Sequence, residues 1–284
     1  PPRSTHPDLS NTSAYPAFLY AYSAGKEGCD DLPRCAVFPD AGYAIFRGER
    51  CCPSTRRVHM VFKCGFLSTY HRHDDDNSLT LYADGEDWLV DGGLYRHEEN
   101  DLQRKFLRSA QAHCLMAPSG IEASRDIKNM TPSAIVSYEI TANLAIVHGR
   151  TSMFKGFVYE RTVSYDLGSS LCLVDAFACV DNEVTGEQEY ELLFPVPNDK
   201  SVQILSNCIR VESLHTGRGI VIELDKNGLR DVSMHRAHAG GIQSRRSVTY
   251  DKLEEIQTIR ATYVGRPLLH VNTRLDITEL VISN

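Results

Sequence analysis

This sequence predicts an all-β fold, an antiparallel multi-stranded β-sandwich. From residue 35 onward, short runs rich in β-branched and aromatic residues alternate with turn signals. Only Glu98–Gln111 in that stretch offers a plausible, short helix. The chain has 284 residues, 42% of them apolar and 24% charged, enough for one large all-β unit or two ordinary domains.

Taken in order, Ala17–Tyr22 reads as the end of a helix or an apolar linker, and Gly25–Arg34 as a charged loop. Strands are expected at Tyr43–Arg47, Val58–Phe62, Ser78–Tyr82 and Trp88–Asp91, then at Ile135–Ile140 and Ala145–His148. Further strands follow at Tyr159–Tyr165, Ser170–Ala176, Tyr190–Phe194, Val202–Leu205, Gly219–Leu224, Ile256–Tyr263 and Pro267–Val271. Asp84-Gly85, Asp166-Leu-Gly168, Asn227-Gly228 and Gly240-Gly241 punctuate them as turns. Many short strands at regular spacing imply stacked antiparallel sheets. Internal repeats and low-complexity tracts are absent.

A net charge of −7 argues against a nucleic-acid partner, and an acidic polymer would need a local basic cluster. No run approaches the roughly 18 apolar residues of a membrane span. The chain opens Pro-Pro-Arg-Ser-Thr, with neither Met nor an apolar leader, as a processed product or a fragment of a longer protein would. Nine cysteines leave at least one thiol free or paired between chains. Their scatter fits small buried hydrophobes better than a disulfide framework, and without a CxxC pair a thiolate zinc site is not expected.

The stretch from His71 to His113 carries the chemistry. It holds His71-Arg-His73-Asp74-Asp75-Asp76-Asn77-Ser78, then Trp88-Leu-Val-Asp91-Gly92-Gly93, then Arg108-Ser-Ala-Gln-Ala-His113. Imidazole and carboxylate are common zinc ligands. Residues two apart on a strand share a face, so His71, His73 and Asp75 point the same way. One imidazole can then bind a metal while its neighbour moves protons. Among eleven histidines, a single His-x-His also arises on an ordinary surface strand. The hairpin over Ala83-Asp84-Gly85-Glu86 sets Asp91 opposite Ser78, leaving His73 roughly 17 Å away along a straight strand. A shared site therefore requires Asp74–Asn77 to bend back. The acidic run has a plain reading as a solvated loop, or as a calcium-like cluster lacking the glycine and distal glutamate of an EF-hand.

The pattern His71-x-His73-x-Asp75-x-x-Ser78 resembles that of the heparinase II/III-like polysaccharide lyases, as do the Asp91-Gly-Gly-x-Tyr95 turn and Arg108-Ser-x-x-Ala-His113. Phe38-Pro-Asp-Ala-Gly42-Tyr-Ala-Ile-Phe-Arg47 is similar to the segment opening that family's sandwich domain. Tyr159-Glu-Arg161-Thr-Val-Ser-Tyr165 and Leu173-Val-Asp175 look like its later strands. The likeness is good over residues 36–195 and rests on strand texture beyond. It implies proton transfer at His71 and a structural zinc held by His73, Asp91 and His113. Asp75 and Ser78 would support the local fold, with orientation of an imidazole as the alternative for Asp75. Two departures are Cys114 where the family usually has asparagine, and Asp91-Gly92-Gly93 for Asp-Pro-Gly or Asp-Ser-Gly. Cys114 reads as a buried neutral thiol, or as a soft ligand beside the metal.

The family's N-terminal helical toroid, which supplies a catalytic tyrosine, has no counterpart here. Residues 1–35 then read as a linker or remnant of a helical domain, and 36–284 as the C-terminal sandwich of a toroid-plus-sandwich lyase. The implied partner is an acidic polysaccharide, cleaved beside a uronic acid by β-elimination, with little turnover expected of this part alone. Arg72, Arg104, Lys105 and Arg108 are the candidate cations for its carboxylates, against a plain reading as solvated charges. A periplasmic home is what the resemblance favours. The rival readings are a non-catalytic carbohydrate-binding or structural sandwich, and a cupin-type metal oxygenase. The cupin lacks support, because Asp76 and Asn77 stand where its glutamate belongs and its Pro-x-Gly-x-x-His segment is missing.

Overall fold

A computed structural model describes residues 23, 26–28, 33–48, 58–65, 71–124, 133–168, 170–180 and 186–279. Ala17–Tyr22, Cys51 and Cys52 lie outside the described residues. The chain divides into compact units at residues 1–34 and 35–284. Within the first, Ser23 Oγ accepts the Glu27 N–H at 2.8 Å.

The second unit is all-β and antiparallel. Its chain order begins with β1 (Cys35–Phe38), β2 (Tyr43–Arg47), β3 (Val58–Lys63), β4 (Ser78–Ala83) and β5 (Glu86–Leu89), which pair in that order as a five-stranded meander. Helix α1 (Leu102–Arg108) follows, then a 3-10 turn at Ala110–Ala112 and β6 (Met116–Pro118). Next come β7 (Ala134–Ile140), β8 (Ala145–Thr151), β9 (Phe157–Tyr165), β10 (Ser170–Cys179), β11 (Gln188–Pro197), β12 (Lys200–Leu205), β13 (Cys208–Ser213) and β14 (Arg218–Leu224). The chain closes with β15 (Leu229–Arg236), β16 (Arg245–Thr249), β17 (Lys252–Gly265) and β18 (Leu269–Glu279). An eight-stranded sheet runs β12-β13-β14-β18-β10-β9-β8-β7, and a further sheet runs β15-β17-β11-β6, with β16 also paired to β17.

Alternation explains the layering. In β9 the residues Phe157, Tyr159, Arg161, Val163 and Tyr165 are buried while those between are partly exposed. Phe46 of the meander meets Tyr165 edge-on at 6.2 Å, and Tyr190 of β11 meets Phe177 of β10 at 4.8 Å. Both smaller sheets thus pack on the eight-stranded one. Each such aromatic contributes about 1.5–3 kcal/mol by leaving water.

Every strand expected from the sequence has a counterpart, most a residue or more longer, but Trp88–Asp91 is displaced to Glu86–Leu89 and the strand expected from Pro267 begins at Leu269. The strands β1, β6, β13, β15 and β16 were not expected. The β4–β5 hairpin closes over Asp84-Gly85 alone, with φ of 57° and 87°, the left-handed pair of a tight two-residue turn. Register then shifts at Trp88, so that Leu81 faces Leu89 and pairing ends there. Asp91 therefore does not pair with Ser78; a bulge that gives Trp88 a buried seat, its Nε1–H donating to Ala83 O at 3.0 Å, moves it off. All six described cysteines are free, and Cys35, Cys64 and Cys114 are buried. No helix among the described residues is long and apolar enough to cross a membrane.

A buried ion pair interrupts the apolar core between β9 and β10. Arg161 and Asp175 face each other across β9 and β10, both fully buried. The guanidinium donates to Asp175 through Nε at 2.7 Å and Nη2 at 3.0 Å, and Tyr159 Oη donates to the same carboxylate at 2.6 Å. Burial disfavours the charged guanidinium, but Asp175 more than offsets it and raises the Arg161 pKa. Asp175→Asn should destabilise the protein by about 3–5 kcal/mol, since it strands a buried cation. The double variant Arg161→Met/Asp175→Leu should recover part of that loss. Urea unfolding of the three proteins measures both, and equal stability of the single variant and wild type would refute the assignment.

Candidate functional site

The loop carrying the two histidines bends as a shared site requires. Asn77 is left-handed at φ 66°, and the Ser78 N–H returns to Asp75 O at 3.1 Å. The acidic run is a buried anchor and not a solvated loop. Asp76 is fully buried and accepts from Lys63 Nζ at 2.7 Å, Arg72 Nη2 at 2.8 Å, Ser133 Oγ at 2.6 Å and the Gly65 N–H at 3.2 Å. Burial alone would raise its pKa, but Lys63, Ser133 and Arg72 hold it below the usual carboxylate range. Asp75 is tied to the same Lys63 at 2.7 Å, which places it in support of the fold. The other edge of the loop is laced to α1, since the Asp74 N–H donates to Arg108 O and Arg108 donates to Arg72 O at 3.0 and 2.7 Å.

Helix α1 delivers the third histidine. Its N-cap Asp101 accepts the Arg104 N–H at 2.8 Å, and after the 3-10 turn His113 takes the cap position in extended conformation. His113 Nδ1 lies 2.7 Å from Asp91 Oδ2, while Asp91 Oδ1 accepts the Gly93 N–H at 2.9 Å. The His73 ring stands 5.6 Å from that of His113. The expected trio is thus brought together.

Burial would lower the His113 pKa, but Asp91 raises it. Burial would likewise raise that of Asp91, and His113 pulls it far below the usual range. His73, desolvated and repelled by His113, falls to about 4 and is neutral near pH 7. His113 Nε2 is buried without a hydrogen-bond partner, the kind of orphan a ligand satisfies. Two imidazoles and a carboxylate suit zinc in donor type. As they stand, no three such side chains among the described residues form a metal-binding group.

The other candidates divide. His71 is exposed, left-handed at φ 58°, and its ring meets His97 edge-on at 4.7 Å. Arg72 is buried in its ion pair with Asp76, so its charge serves the loop and not a ligand. Arg104 is buried too, Arg108 is committed to Arg72 O, and Lys105 is exposed. Ser78 is buried at the start of β4. Burial pushes the Cys114 thiol up to about 12, matching a neutral core thiol. A cleft of about 350 Å³ opens beside Asp91, lined by His59, Tyr82, Leu89 and Arg246 among others.

The sequence reading missed three parts of the site. Lys63 and Asp76 hold the loop, and His97 touches His71 and in turn meets Tyr250. Arg161 Nη1 grips Asn77 O at 3.0 Å and Cys114 O at 2.8 Å, joining the two histidine-bearing segments.

A sandwich gathering these histidines at one end is a polysaccharide lyase-related domain. The sequence matches the family described as "Heparinase II/III-like, C-terminal" over residues 30–267, and the chain belongs to that family. Among curated proteins none matches it. A heparinase III, the BT4657 gene product, superposes with a TM-score of 0.75 at 15% identity, over 94% of this chain and 40% of that one. Heparan sulfate lyase HepC from Pedobacter heparinus gives 0.75 at 15% identity, over 95% and 40%. A second heparinase III structure gives 0.71 at 15%, over 96% and 43%. The fold is shared, and the chain spans about two fifths of the length of these structures. Membership removes the cupin reading.

Asp76→Asn should destabilise the protein by about 3–5 kcal/mol near neutral pH, because buried Arg72 loses its carboxylate partner and Lys63 keeps only that of Asp75. The folded pKa of Asp76 lies below its unfolded value, so this stabilisation is present above about pH 4 and is lost as pH falls through the folded pKa. Urea midpoints of the two proteins should therefore converge on acidification. A gap that stays constant from about pH 7 to about pH 3 would contradict the anchor.

Proposed function

We propose that the chain is the sandwich part of a lyase that cleaves uronic-acid-containing polysaccharide by β-elimination. The carrying observation is a division of labour on one loop. His73 is turned inward against the Asp91–His113 pair, while His71, two residues earlier, is exposed on a strained backbone.

In the elimination, a base takes the proton from C5, the C4–oxygen bond breaks, and the C5–H electrons form the C4–C5 double bond. An acid returns a proton to the leaving oxygen. An imidazole can both accept and return a proton, and exposed His71 would share these transfers. The enolate-like charge on the uronate needs a cation or hydrogen-bond donors close by. Of the four basic candidates, Lys105 is the fully exposed one and would be the first to meet a mobile ligand. Zinc held by His73, Asp91 and His113 would brace the loop beneath His71. A preceding helical domain would complete the acid–base set with its tyrosine. A second reading is a carbohydrate-binding sandwich without turnover, which the exposed rings of His97 and Tyr250 beside His71 would serve equally well.

In the full-length protein, His71→Ala should abolish formation of the ultraviolet-absorbing unsaturated uronate while metal content and unfolding midpoint stay at wild-type values. His73→Ala should lose metal and stability together. Equal metal loss in both would overturn the roles assigned along the loop. The chain alone should turn over little or nothing. Hydrolysis of neutral glycans by the full-length protein would sink the lyase reading, and uronate binding without cleavage would establish the second one.

A further inference from the structure

Beside His71 lies a surface that the elimination chemistry does not use. The β16–β17 hairpin turns at Tyr250–Asp251, with Asp251 left-handed at φ 62°, and its tip is fastened to the segment following Asp91. The Ser247 N–H donates to Gly92 O and the Asp251 N–H to Tyr95 O, both at 2.8 Å. Gly93, at φ 70°, sits so close to Ser247 that a side-chain carbon there would collide with its carbonyl. Arg96 Nε donates to Asp251 Oδ1 at 2.8 Å, its Nη1 approaches Asp101, and its guanidinium lies over the Tyr95 ring at 4.4 Å.

These ties fix three exposed rings in succession. His71 touches His97 at 4.7 Å, and His97 meets Tyr250 at 5.7 Å with the planes 36° apart. Tyr250 is 59% exposed, so it adds little to the core, yet its backbone is held by a strained turn and an ion pair. A rigid aromatic ring in that setting offers a flat apolar face at small entropic cost, with a hydroxyl at its rim. One face of a pyranose, where ring C–H groups gather, is the matching surface.

We propose that Tyr250 and His97 form a sugar-binding subsite continuous with His71, taking the pyranose next to the uronate under attack. Tyr250 stacks on that sugar, and His97 hydrogen-bonds it from the side shared with His71. The subsite rests on the lyase reading of His71, and fixing the neighbouring sugar there sets the uronate's C5 against the proton-transfer ring.

The test titrates the chain with tetrasaccharides of heparan sulfate, hyaluronan and alginate, following the Tyr and His ring resonances by NMR. For at least one tetrasaccharide, the Tyr250 and His97 signals should shift together with those of His71. Tyr250→Ala should weaken that binding about three- to tenfold, with Tyr250→Phe restoring most of it. Tyr138→Ala, at an exposed tyrosine on β7, should bind as wild type. Since the hairpin is held by backbone and Arg96 contacts, Tyr250→Ala keeps its fold, which its NMR spectrum reports directly. Unchanged affinity in Tyr250→Ala while wild type binds would overturn the subsite and leave the lyase reading standing. Absence of binding by wild type to all three probes would overturn both.

Discussion

The Arg161–Asp175 pair is the constraint on which the site depends. A guanidinium in an apolar core is tolerable only when its donors are satisfied. Asp175 takes two of the five, and two more go to the main-chain carbonyls of Asn77 and Cys114. Those residues end the His73 loop and follow His113. Tyr159 extends the network, donating to Asp175 and accepting the Met116 N–H at 3.1 Å. Two segments far apart in sequence are thereby fixed to the eight-stranded sheet by hydrogen bonds, whose angular demands position them more narrowly than apolar packing does.

Hanging from this clamp is a second polar tier. Lys63, Arg72, Ser133 and Gly65 converge on Asp76, and α1 closes the loop from the other side through Arg108. The apolar sheets supply bulk stability, while the polar tiers set where the imidazoles stand. Exposure rises stepwise along the way, from Asp76 through His73 to His71. The inner groups are immobilised and the outermost ring is left accessible to a ligand.

Much of the fold was legible because β-branched alternation and turn dipeptides are local signals. Of the unexpected strands, Cys208–Ser213 carries charges at every second position and Leu229–Arg236 sets Arg230 and Asp231 side by side, so pattern alone does not separate them from loop. The bulge at Trp88 has no sequence marker, because it arises from the seat the indole finds in the core. The trio His73, Asp91 and His113 could be named from the resemblance alone, and the structure sets the three side chains side by side. Arg72 and Arg104 were misjudged as surface cations because burial depends on partners no spacing rule reveals. The clamp, by contrast, was readable in principle. Arg161 shares the alternation of Tyr159, Val163 and Tyr165, and Asp175 shares that of Leu173 and Phe177, so each charge sits on the apolar side of a neighbouring strand.

Asn77 imposes a condition on the opposite sheet. Its amide nitrogen donates to Tyr159 O at 3.2 Å, while its side-chain oxygen lies where any carbon added to Gly149 of β8 would fall, with the Phe62 ring and Cys64 closing the same space. Position 149 therefore cannot acquire a side chain unless position 77 gives way, and Asn77 cannot shift without disturbing the carbonyl that Arg161 holds. Even then Phe62 and Cys64 would have to yield with it, so the glycine answers to three side chains at once. A strand that carries none of the candidate site residues is thereby tied, through one missing side chain, to the loop that holds them.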